Sequence, residues 1–164
     1  MKPTPLSPAS HGDMFTSFQS ESDRGAAVLA GSYVVAVLGA FLQSHTQDRS
    51  VAGRMFEEGG SIASFAQRID TAQAFGFLSS ELCADLRLVR KIRNHFAHYP
   101  MEASFETDPV RGLASSLSTF KSADGGIASA LKMGKGRIAY LLAANSFALL
   151  ANARIHAAKN PEIS

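Results

Sequence analysis

Two stretches limit most strongly what this chain can fold into. Ala26 to Leu42 is seventeen residues without a charge, and Ile138 to Ala153 is a second uncharged run. Each reads as a long helix, and a helix that is apolar nearly all round has to be buried against something. Both runs fall a little short of the roughly 20 apolar residues that a bilayer span needs. Both also contain Gly, Ser or Asn, which lowers their hydrophobicity. They are therefore expected in the interior of a helical bundle or at a dimer interface, not in a membrane. With 164 residues, 46% of them apolar, the chain is long enough for one domain with its own core.

The remaining elements follow from caps and breakers. Residues 1–12 carry Pro3, Pro5 and Pro8 without an apolar run, so they read as a flexible tail and not as a secretory signal. Asp13 is expected to cap a short helix through Phe15 and Phe18. Ser22 or Asp23 should cap the first long helix, which runs to about Ser44. A short helix is expected around Val51 to Glu57, ended by Gly59 and Gly60. Ser61 is expected to cap a third helix with an apolar stripe of Ile62, Phe65, Ile69, Ala72 and Phe75, stopped by Gly76. Asp108 and Pro109 signal a helix to about Lys121. Gly125 and Gly126 signal a loop, and a last helix spans Arg137 to Ala158. No β-alternation is visible. The expected fold is all-α: an irregular helical bundle of five to seven helices forming one domain over residues 13–160.

The densest chemistry lies in Asp85 to Tyr99, DLRLVRKIRNHFAHY. Leu86, Val89, Ile92 and Phe96 recur at helical spacing and make a buried stripe. Around it stand Arg87, Arg90, Lys91, Arg93, Asn94, His95 and His98, and Pro100 helps to end the helix. The formal charge of the whole chain is only +2, so any nucleic-acid contact needs a local patch such as this one. Cys83 is the single cysteine, which excludes an internal disulfide and a cysteine-based metal cluster. It reads as a small buried residue. The histidines show no ligand spacing beyond a His95/His98 pair without a third partner, so no metal and no cofactor are expected. Lys132, Gly134, Lys135 and Gly136 do not form a phosphate-binding loop of the Walker type.

Three blocks resemble the mannitol operon repressor family: ESDRGAAVLAGSYV (21–34), GSIASFAQRIDTAQAFGFLSSEL (60–82), and DLRLVRKIRNHFAH (85–98) followed by SFET (104–107). The match covers roughly residues 15–120. The resemblance implies a helical, non-enzymatic bacterial transcriptional regulator in the cytoplasm, homodimeric, acting through DNA or a regulatory protein partner. No helix pair shows a helix-turn-helix signature. His95 departs from the pattern, where the family is expected to carry an acidic residue. On this reading Arg87, Arg90, Lys91, Asp23 and Arg24 are the candidate binding residues, with Asp23 or Arg24 folding onto the basic helix.

Within the same helix, RNHFAH (93–98) resembles the R-x4-H pattern of HEPN-type domains, many of which are metal-independent ribonucleases. That resemblance implies an alternative: an endoribonuclease acting on RNA with Arg93, Asn94 and His98 as catalytic residues. A histidine can move the proton of a 2′-hydroxyl, and an arginine can stabilise charge building on a phosphate. Arg93 lies about 140° around an ideal helix from His98, so the two converge only if the helix distorts between them or a second copy contributes. The plain structural reading of the same residues is an ion pair of Arg93 with Asp23 or Glu21, and His98 at a helix C-terminus.

Overall fold

The computed structural model of the protein describes residues 8–99, 101–123 and 125–159. Its order begins at the hydroxyl of Ser22, which accepts the Gly25 amide at 3.0 Å and caps α2 (Asp23–Ser44). The second uncharged run lies in α8 (Lys135–Lys159). These two helices share the most extensive contact between elements. The Tyr140 hydroxyl donates to the Ala27 carbonyl at 2.7 Å and joins them inside the core. Both are long and apolar enough to cross a membrane, yet 56% of the apolar stretch of α2 and 61% of that of α8 are buried by the rest of the fold. Interior packing therefore accounts for their composition.

The other elements surround this pair. They are α1 (Pro8–Ser20), α3 (Arg49–Phe56), α4 (Phe65–Ala74), α5 (Ser80–His98), α6 (Val110–Ser115), a 3-10 turn at Ser118–Phe120, and α7 (Gly125–Leu131). The described residues hold no strand, and the all-α irregular bundle is what forms. Short pieces take the helix number past the expected range. Residues 8–12 belong to the first turns of α1, which starts ahead of Asp13, and residues 1–7 of the expected tail lie outside the described residues.

Three boundaries differ from expectation for local reasons. Ser64 caps α4, not Ser61, because Ser64 and Gln67 exchange bonds in a capping box while the Ile62 amide is spent on the Met55 carbonyl. Phe75 is consequently past the helix end and 71% exposed, stacked on Phe77, instead of joining the buried stripe. Gly76 does follow the helix, with a positive φ of 69° that suits glycine. Asp108 pairs with Arg111 at 2.8 Å and caps nothing; the helix it precedes stops at Ser115. The chain then turns because the Asp85 carboxylate takes both the Ser118 amide and its hydroxyl, tying the 3-10 turn to α5. At Gly125 and Gly126 a helix begins where a loop was expected.

Two arginines hold the elements together. Arg137, at the head of α8 and 12% exposed, donates to Asp23 Oδ1 at 3.2 Å. It also donates to the carbonyls of Phe18 and Gln19 in the last turn of α1 and of Glu21 just beyond it, which lack helical partners. Asp23 Oδ2 in turn accepts the Ser104 hydroxyl and the Phe105 amide at 3.3 and 3.2 Å. Arg68 of α4 donates to the carbonyls of Val35, Ile62 and Phe56 and lies over the Phe56 ring. Its Nη1 lies 2.8 Å from where a Cβ on Gly39 would stand, so a larger residue there would displace the guanidinium from these carbonyls.

Candidate functional site

Helix α5 carries the candidate residues. The Ser79 hydroxyl accepts the Leu82 amide and caps it, and Leu86, Val89, Ile92 and Phe96 are buried as their spacing predicts. The helix is continuous from Ser80 to His98. The angular separation of Arg93 and His98 therefore persists within one chain, and the two side chains stand on diverging faces.

The structure divides the candidates. Arg87 is engaged: it bonds Asp70 at 2.6 Å and Gln73 at 2.8 Å and braces α5 against α4. Asp23 is engaged in the Arg137 network and holds the segment after α5, so it reaches Ser104 and Phe105 and not Arg93. The sequence blocks around Asp23, Arg68 and Ser104–Phe105 thus coincide with the contacts that hold the fold. No ion pair links Arg93 to Asp23 or Glu21; Arg93 instead donates to its neighbour Asn94 at 3.0 Å. Arg24, Lys91 and His98 are exposed, and no hydrogen bond or ion pair joins them to another described residue.

Arg93 lies deepest of the set. A Cβ on Gly31 would meet its Cγ and Cβ at 2.6 and 2.8 Å, so α2 and α5 touch through the arginine stem. The Tyr140 hydroxyl is beside the same point. Burial raises the Tyr140 pKa far above the ordinary phenol value, with Arg93 opposing. The Nε atoms of Arg90 and Arg93, like that of Arg137, are buried without a hydrogen-bond partner. Burial also lowers the Arg68 pKa and raises that of the Cys83 thiol, which suits the core role expected of Cys83.

Beyond α5, the surface changes character. His95 stacks on Tyr99 with ring centres 4.8 Å apart, and Tyr99 and Met101 are 54% and 93% exposed. These two were not singled out from the sequence. Their available signal is position: large apolar residues directly past a helix end, next to Pro100. Arg137 was also missed, although it is the charge at the head of an otherwise uncharged run. Among the described residues no three His, Cys, Asp or Glu side chains come together to hold a metal ion.

No protein-family model matches the chain, and no curated protein matches it in sequence. Solved structures share its fold. The chain of the X-ray structure of the MtlR–HPr complex from Escherichia coli superposes with a TM-score of 0.69 at 12% identity, over 88% of this chain and 99% of that one. A possible transcriptional regulator, YggD from Shigella flexneri 2a, gives a TM-score of 0.71 at 15% identity, over 90% and 99%. The fold that the sequence resemblance implies is the fold observed.

Proposed function

We propose that the chain is a non-enzymatic transcriptional regulator of the mannitol-repressor type that works through a protein partner. The observation that carries this reading is the likeness of the whole domain to two regulator structures, one of them solved with HPr. Its three sequence blocks agree with that likeness. A cytoplasmic setting and a homodimer belong to the same proposal. Direct DNA binding through Arg87, Arg90 and Lys91 is the weaker variant, because Arg87 is already occupied by Asp70 and Gln73. The ribonuclease alternative gains no support, since Arg93 and His98 diverge on one continuous helix.

The partner surface we assign is the C-terminal end of α5 with Tyr99 and Met101. Exposed aromatic and methionine side chains have the composition of interface anchors. The test is calorimetric titration of the protein with HPr. Saturable binding is expected, weakened about tenfold or more in the Tyr99→Ala/Met101→Ala double variant. Binding unchanged in that variant would refute the surface; no binding by the wild type would refute HPr as the partner. Cleavage of single-stranded RNA in EDTA that disappears in His98→Ala would replace the whole reading by the ribonuclease one.

A further inference from the structure

The second uncharged run leaves one face of α8 open to solvent. The rest of the fold buries 61% of its apolar stretch. Between Ile138 and Ala153 the exposed residues are Ser146, Leu149, Leu150 and Ala153, and Leu149 is 45% exposed. Leu142 is half-buried on the same side. Leu142, Ser146, Leu149 and Ala153 stand at i, i+4, i+7 and i+11, within about 60° of one another around the helix, which is the spacing of a coiled-coil seam. The other uncharged helix has no such seam: between Ala26 and Leu42 only Leu29 and Ser32 are exposed.

We propose that this seam, given the homodimer of the proposed function, is where two copies of the chain meet, packed antiparallel through α8. Along the seam the side chains run large, small, large, small. Turned end to end, as a two-fold axis turns an antiparallel copy, the order becomes small, large, small, large. About a centre between Phe147 and Ala148, Leu142 then faces Ala153 of the second copy, and Leu149 faces Ser146 of the second copy. Each leucine enters the gap beside a small residue, whereas a parallel pairing in register would set leucine against leucine. No charge lies between Ile138 and Ala153, so the two copies meet without like-charge repulsion. A partner recognised by its charge would find nothing there to pair with. The seam is only about 17 Å long at the helical rise, short for an interface of standard size, so the dimer is expected to be weak and reversible.

The test is sedimentation velocity of the full chain over a range of about 1 to 500 µM, where a reversible dimer with a Kd of about 10–100 µM is expected. Leu149→Lys should weaken association about tenfold or more with helix content unchanged by circular dichroism, because that side chain is already partly in water. Ser146→Leu tests the pairing itself. It makes the face more apolar yet sets leucine against leucine, and should also weaken association about tenfold or more. The exchange Ser146→Leu/Leu149→Ala places a large residue opposite a small one again and should return to within about threefold of the wild type. A dimer that persists in Leu149→Lys, that Ser146→Leu leaves unchanged or tightens, or that the exchange fails to restore would overturn this face and leave the homodimer reading standing. A wild type that stays monomeric throughout would overturn both.

Discussion

The head of the bundle and the α2–α5 seam use the same residue type in opposite ways. At the head, Arg137 meets Asp23 and three carbonyls and ties α1, α2 and α8 together. Arg137 and the seam residues Arg90 and Arg93 all have a buried Nε without a partner, but they differ at the terminal nitrogens: those of Arg90 and Arg93 together make a single bond, to Asn94. In the first region the terminal guanidinium nitrogens are satisfied internally. The second leaves its bonding capacity over. The comparison shows that how far a basic residue serves the fold is decided by its acceptors, which composition and helical position do not reveal.

The contrast can be broken by substitution. Arg137→Met should have the largest effect, about 2–4 kcal/mol, because it strands Asp23 and the last carbonyls of α1 together. Urea unfolding would show it as a lower midpoint with an unchanged slope. Gly31→Ala should cost about 1–3 kcal/mol, since the new methyl meets Arg93 and the Tyr140 hydroxyl below 3 Å. If it costs nothing, α2 and α5 are not in close contact at the seam.

Alkali gives a third handle. Tyr140 and Cys83 are held above their ordinary pKa values by burial. Each binds its proton more tightly folded than unfolded. Their contribution is therefore complete below about pH 9 and declines as pH rises into the range where the unfolded thiol and phenol ionise. Tyr140→Phe should lessen the alkaline loss while costing about 1 kcal/mol near neutrality for the missing bond to Ala27. A pH profile identical in wild type and variant would mean that Tyr140 is not sealed in the core. Arg87→Ala should have the smallest effect, within about 1 kcal/mol, because both it and Asp70 are partly in water.

Much of the fold was legible because its signals are local. The uncharged runs announced α2 and α8, and the spacing of Leu86, Val89, Ile92 and Phe96 announced α5. Ser22 and Gly76 acted where their chemistry predicts. What escaped was decided by distant or competing partners. Two successive glycines at Gly125 read as a break, yet a helix starts there. Asp108 has the residue type of a cap but pairs with Arg111. The Asp23–Arg137 contact spans 114 positions, beyond any periodicity argument. The candidate site was legible in its residue types and not in its division of labour. Arg87 and Arg90 look alike in the sequence, and only the fold supplies Asp70 and Gln73 to one and neither to the other.

The most direct measurement of that division is the unfolding free energy of Arg137→Met and Arg90→Met beside the wild type, by urea titration in phosphate-free buffer. Arg137→Met should lose about 2–4 kcal/mol, whereas Arg90→Met should stay within about 0.5 kcal/mol or gain stability, since it removes a buried donor that has no acceptor. Equal losses in the two variants would contradict the account, because Arg90 would then be holding the fold as Arg137 does.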